Sequence, residues 1–140
     1  MESGFRCEIV RLDGDVIQLD VSARNASFAG RTKLYVATGS LEDAATQLTG
    51  FPNHPDDTRL LMLGAFGPEC AGGGVSFAFS LSDQVGQAHV QVVIEADGEV
   101  AGITETVTLA LGFELAALDE FIAELRRLET EQKGVAVLKS

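Results

Sequence analysis

Cysteine is scarce in this chain. Cys7 and Cys70 are the only two; they lie far apart and form no CxxC or metal-type spacing. Neither a disulfide framework nor a zinc site is indicated, and two buried, reduced thiols are expected. No segment approaches the roughly 18 consecutive apolar residues that a membrane-spanning helix needs. The N-terminus, MESGFRCEIVRLDGD, lacks a positively charged start followed by an apolar stretch, so neither secretion nor a membrane span is expected and the compartment read from the sequence is the cytoplasm. Without a secretory route, the acceptor triplet Asn25-Ala26-Ser27 carries no weight. Basic residues are also few, 10 against 21 acidic ones, for a formal charge of −11. Such a chain repels phosphate backbones and anionic lipid, which excludes nucleic acid and membrane surfaces as partners and favours a basic protein.

Catalytic patterns are missing too. Nucleophilic catalysis needs Ser, Cys or Thr beside a base, and there is neither a GxSxG elbow nor a Cys/His arrangement. His54 stands in Phe51-Pro52-Asn53-His54-Pro55-Asp56-Asp57, a turn-rich stretch read as a solvated loop; one imidazole and two carboxylates fall short of the rigid set of ligands that a metal needs. Gly72-Gly73-Gly74 precedes a strand, whereas a phosphate-cradling loop leads into a helix and carries Lys-Ser or Lys-Thr. Glu114, Asp119, Glu120 and Glu124 give no acid/base pair, because adjacent positions diverge around a helix and Glu120 and Glu124 share a solvated face. No metal, cofactor or enzymatic activity is indicated.

What is there is a foldable single domain over residues 1–140, with 46% apolar and 22% charged residues. Asp13-Gly14 and Asp97-Gly98 supply the positive φ that two-residue hairpin turns demand. The first joins Phe5–Leu12 to Val16–Ala23, where Ile17, Leu19, Val21 and Ala23 alternate with polar residues. The second joins Ala88–Glu95 to Val100–Leu111. Val75–Ser82 alternates most cleanly of all, and these last three segments read as a meander. Phe28–Thr38 and Thr58–Gly64 are further strands, and the run Leu60-Leu61-Met62-Leu63 suits a central strand covered on both faces. A short helix begins with Ser40 as its N-cap and ends at Gly50. A longer one spans Glu114–Glu129, and Val135–Leu138 adds an edge strand.

The fold class expected is α+β: one antiparallel sheet of about six to eight strands, with the short helix and the C-terminal helix packed on one face. In that arrangement the long helix covers the face carrying Phe77, Phe79, Val90, Val92, Leu109 and Leu111. A two-sheet β-sandwich is the alternative.

The opposite face gathers small polar residues: Ser76, Ser80, Ser82, His89, Gln91, Glu95, Thr104, Thr106 and Thr108. Short side chains lose little entropy on contact, so this face is the candidate surface for a protein partner or a second copy in a homodimer. The order of Leu41…Gly50-Phe51-Pro52, the Gly-rich entry to Val75-Ser76-Phe77-Ala78-Phe79, Gly86-Gln87-Ala88-His89-Val90, and Glu114 to Phe121 resembles small uncharacterised bacterial single-domain proteins that are immunity-protein-like. The resemblance runs from about Phe28 onward and implies a non-catalytic binding protein whose partner is a basic toxin. A small-ligand carrier or minor enzyme, with a cavity between sheet and helix near His89, is the competing reading.

Overall fold

The computed structural model describes residues 3–67, 73–82 and 86–140. Cys70 and Gly72 lie outside the described residues. In chain order the elements are β1 (Gly4–Asp13), β2 (Val16–Arg24), β3 (Ala29–Ala37), α1 (Ser40–Leu48), β4 (Arg59–Gly64), β5 (Gly74–Leu81), β6 (Gln87–Asp97), β7 (Thr104–Glu114), α2 (Leu115–Glu131) and β8 (Gly134–Lys139). They form two antiparallel four-stranded sheets, a first ordered β3-β2-β1-β8 and a second ordered β4-β5-β6-β7. The α+β class holds, but the single large sheet is replaced by the sandwich. No helix is long and apolar enough to cross a membrane among the described residues.

Local chemistry accounts for most of the elements. Gly14 has φ 62°, and the Asp13-Gly14 turn sets a register in which Phe5 faces Ala23 and Cys7 faces Val21. Asp97-Gly98 does not make the second tight turn. Residues 98–103 form a longer loop, closed by the Gly98 N–H bond to the Ile103 carbonyl at 2.9 Å, and the positive φ falls at Gly102 instead. β7 therefore starts at Thr104, not Val100. β4 is an edge strand, not a central one: Leu61 and Leu63 are buried while Leu60 is 75% and Met62 56% exposed.

Two amphipathic surfaces meet in one core. Along β5 and β6, Val75, Phe77, Phe79, Val90, Val92 and Ile94 are buried, and the first sheet supplies Phe5, Ile17, Leu19, Val21 and Leu34 against them. The ring of Phe5 packs edge-on to Phe77 at 4.8 Å and to Phe121 of α2 at 5.9 Å. Thus α2 does not cover the Phe77/Phe79 face by itself; most of that cover comes from β1, β2 and β3. The strand β3 crosses the second sheet. Gly30 sits on Val107 of β7 and Ile94 of β6, where a β-carbon would run into Val107 Cγ1; Thr32 meets Gly73; Leu34 meets Gly64. Crossing every strand in turn is the orthogonal form of sheet packing. The helices pack on one another, and α2 lies along β8.

Candidate functional site

The outer face of the second sheet is built as a set of cross-strand rows. Residues directly opposite in an antiparallel ladder share a face. Register places Met62, Ser76, Val93 and Thr108 in one row, Leu60, Ala78, Gln91 and Ala110 in the next, and Ser80, His89 and Gly112 beyond it. Glu95 and Thr106 pair on the other side, and Asp97 faces Thr104 at the far end. The structure therefore brings Ser76, Ser80, His89, Gln91, Glu95, Thr106 and Thr108 onto one surface, with Ser82 and Thr104 at its two ends.

That surface is less polar than its sequence pattern indicates. Leu60, Met62, Ala78, Val93 and Ala110 cross it between the β4 and β7 edges, and a groove of about 390 Å³ is lined by Leu60, Met62, Ser76, Ala78, Gln91 and Val93. Two of the expected contact residues are engaged within the chain. Glu95 Oε1 accepts the Gly67 N–H at 2.7 Å, and Ser82 Oγ lies 2.7 Å from His89 Nδ1. A free Glu95 carboxylate is thus a correction: it fastens the segment after β4. Among the described residues, Ser82 Oγ is the hydrogen-bond partner of the His89 ring.

At the Ser82 end the face opens into a cleft of about 750 Å³ lined by Pro52, Asn53, His54, Asp56, Ser82 and Leu115, among others. The loop on its rim is not simply solvated. Asp57 is buried and accepts the Asn53 N–H at 2.7 Å and the Arg59 guanidinium at 2.8 Å, while Arg59 Nη1 donates to the carbonyls of Gln47 and Thr49 at the end of α1. Phe51 is buried, packs 6.1 Å from Phe79, and lies under the Arg59 guanidinium. The bonds from Arg59, then Asn53, hold the Asp57 carboxyl down at about 2, below its usual 3.8. A group that ionises more readily when folded contributes fully above about pH 4 and loses that contribution as the pH falls toward 2. The expected result for Asp57→Asn is a thermal midpoint several degrees below the parent's at neutral pH, with the gap closing by about pH 2. Thermal unfolding followed at several pH values checks it.

Charge separates the two sheets. Residues 59–114, which contain the second sheet, hold seven acidic residues and one basic residue, a net of −6 out of −11. The single base is Arg59, already bound to Asp57. The strands of the first sheet hold six of the ten bases: Arg6, Arg11, Arg24, Arg31, Lys33 and Lys139. There Arg31 bonds Asp20 and Arg6 bonds Glu8.

Chemically reactive groups are few. Cys7 is a free, fully buried thiol whose pKa burial pushes up to about 12, which leaves it protonated and inert. Among the described residues no three His, Cys, Asp or Glu side chains converge as metal ligands would. The space between the sheets is occupied by Phe5, Phe77, Phe79 and Phe121, and the cleft lined by Ser82 and Leu115 lies outside that core. Sequence reasoning missed Leu60, Met62 and Val93 as surface residues; the signal present was that Val93 breaks the alternation of β6. No protein-family model, curated protein or solved structure matches the chain.

Proposed function

We propose that this chain is a non-catalytic interaction domain that docks a basic protein on the outer face of its second sheet, in the manner of an immunity protein that occludes a basic toxin. One observation carries this reading. An apolar strip, exposed at Leu60 and Met62 and half-buried at Val93, is set among Ser, Thr and Gln on a sheet whose only cation is ion-paired. Apolar contact area flanked by polar side chains is a common feature of protein interfaces. The acidic surround adds long-range attraction for a cationic surface and rejects anionic ones. Short side chains at Ser76, Ala78, Thr106 and Thr108 keep the relief low and the entropy cost of contact small. The cytoplasmic placement rests on the same reading and is consistent with a reduced Cys7.

The test compares the parent with Leu60→Asp/Met62→Asp, which changes only exposed edge-strand positions. Immobilised parent protein is expected to retain a basic protein from a native extract, with binding that weakens as salt rises from about 0.05 M to about 0.5 M. The double variant is expected to lose it while unfolding at the same temperature. Retention of no partner, or equal retention by both proteins, overturns the reading.

A further inference from the structure

We infer that the first half of β7 is a strand-addition edge, open to an extended cationic segment of the partner protein; this rests on the docking face proposed above. Edge strands present unpaired N–H and C=O groups, and proteins ordinarily cover them. Here each of the other edges is engaged at one or more points. The Lys33 carbonyl of β3 accepts the Gly73 N–H at 2.9 Å, and the Val137 N–H of β8 donates to Glu124 Oε1 at 3.0 Å. The short strand β4 is flanked by α1 and β3. On β7, the Ala110 carbonyl accepts from Asn25 Nδ2 at 2.9 Å and the Gly112 carbonyl from Ser140 Oγ at 2.8 Å.

That cover stops at Ala110. The N–H and C=O of one residue in an antiparallel strand point to the same side, and the side alternates along the chain. Ala110 and Gly112 point away from β6, whereas the Ile103 carbonyl accepts the Gly98 N–H on the inner side. Thr104, Thr106 and Thr108 therefore point outward, and all three are exposed with no partner on that edge among the described residues. Three outward-facing residues match an added strand of about five residues.

The flanks of this edge point to its occupant. Ile103 is 55% exposed and Phe28 61% exposed, and the Phe28 amide is held by the same Asn25 side chain that reaches Ala110. Ala29, Gly30, Arg31, Glu105 and Val107 line a groove of about 280 Å³ beside the edge, which gives the inward side chains of an added strand somewhere to pack; Arg31, the one cation there, is bound to Asp20. The charge there is acidic: Glu95, Asp97 and Glu105 lie on β6 and β7 around the open stretch, and Glu99 lies in the connecting loop. A second copy pairing β7 with β7 sets two acidic edges side by side, with a Glu105 on each of the paired strands, and like charges close together across strands are destabilising. A segment rich in Lys or Arg meets them favourably.

A capped seven-residue peptide of alternating Lys and Val, titrated into the whole chain and followed by amide NMR, tests the inference. The expected result is perturbation of the Thr104, Thr106 and Thr108 amides, with binding at least about tenfold weaker in Thr106→Pro and when Glu replaces Lys in the peptide. Thr106→Ala, which keeps the backbone edge and removes only a side chain of the docking face, loses far less binding than Thr106→Pro. Thr104→Pro supplies a second edge variant if Thr106→Pro fails to fold, since the first residue of a strand tolerates proline. Three results overturn the inference: absence of binding; shifts confined to Leu60, Met62 and Val93 with no effect of either proline; and shifts of Thr104 to Thr108 that grow with protein concentration alone, which makes a second copy the occupant. The second of these leaves the docking face standing, whereas loss of partner capture by the parent protein removes both.

Discussion

Replacing Phe5 with alanine is expected to cost about 3–5 kcal/mol of stability, which is much of what a domain of this size has to spare. Phe5 is fully buried and is the point where three elements meet: it stands on β1, its ring touches Phe77 of β5 edge-on, and its other side touches Phe121 of α2. Truncation removes the ring and leaves a void between sheets that cross at a steep angle. Such sheets collapse poorly onto a gap, because moving one strand disturbs every strand it crosses. The inner residues Phe77 and Phe79 belong to the strand whose outer residues are Ser76, Ala78 and Ser80, so loss of this packing loosens the docking face from behind. Phe5→Leu keeps most of the volume and is expected to cost about 1–1.5 kcal/mol. Urea unfolding of both variants measures the difference. A Phe5→Ala protein as stable as Phe5→Leu contradicts the packing described.

The second large effect lies at Glu129. Gly39 precedes α1, and no side chain of α1 itself caps the helix, although the sequence pattern assigns that role to Ser40. The cap comes instead from α2: Glu129 Oε1 accepts the N–H groups of Gly39 at 2.9 Å, Leu41 at 3.1 Å and Glu42 at 3.3 Å. A carboxylate there both satisfies orphan donors and faces the positive end of the helix dipole. Arg126 adds bonds to Glu42 and Thr49, so α2 grips α1 near both ends. Glu129→Ala strips the cap and is expected to cost about 2–3 kcal/mol. Glu129→Gln retains an acceptor and loses the charge, for an expected cost of about 1 kcal/mol. Glu129 Oε2 is buried with no hydrogen-bond partner among the described residues, so the bonds to α1 are made by Oε1. Equal stabilities of the alanine and glutamine variants would show that Oε1 contributes nothing as an acceptor.

How much of this was legible in the sequence depends on distance along the chain. The Asp13-Gly14 hairpin, the alternation in β2 and β5, the long helix and the final edge strand are written in periods of two and 3.6 residues and in turn chemistry, all local signals. The Glu129 cap joins residues some ninety positions apart and leaves no local trace. Nor does the division into two sheets, because Val75, Phe77 and Phe79 bury equally well under a helix or under β1 and β3. The most instructive failure is Leu60-Leu61-Met62-Leu63. Apolar residues on both faces read as a doubly covered strand, yet β4 is an edge with Leu60 and Met62 in solvent. Val93 disturbs the alternation of β6 in the same way. Local pattern reading fails where a surface carries apolar residues it does not bury within the chain, and such places are where function is expected to lie.

That surface can be interrogated directly. A photo-reactive side chain placed at Met62 on the outer face of the second sheet, and separately at Tyr35, an exposed residue on β3 of the first, reports which sheet the partner covers. The expected result is a crosslink to a basic protein from position 62 and none from position 35, suppressed at high salt. A crosslink from position 35 alone, or equal crosslinking from both positions, contradicts docking on the second sheet.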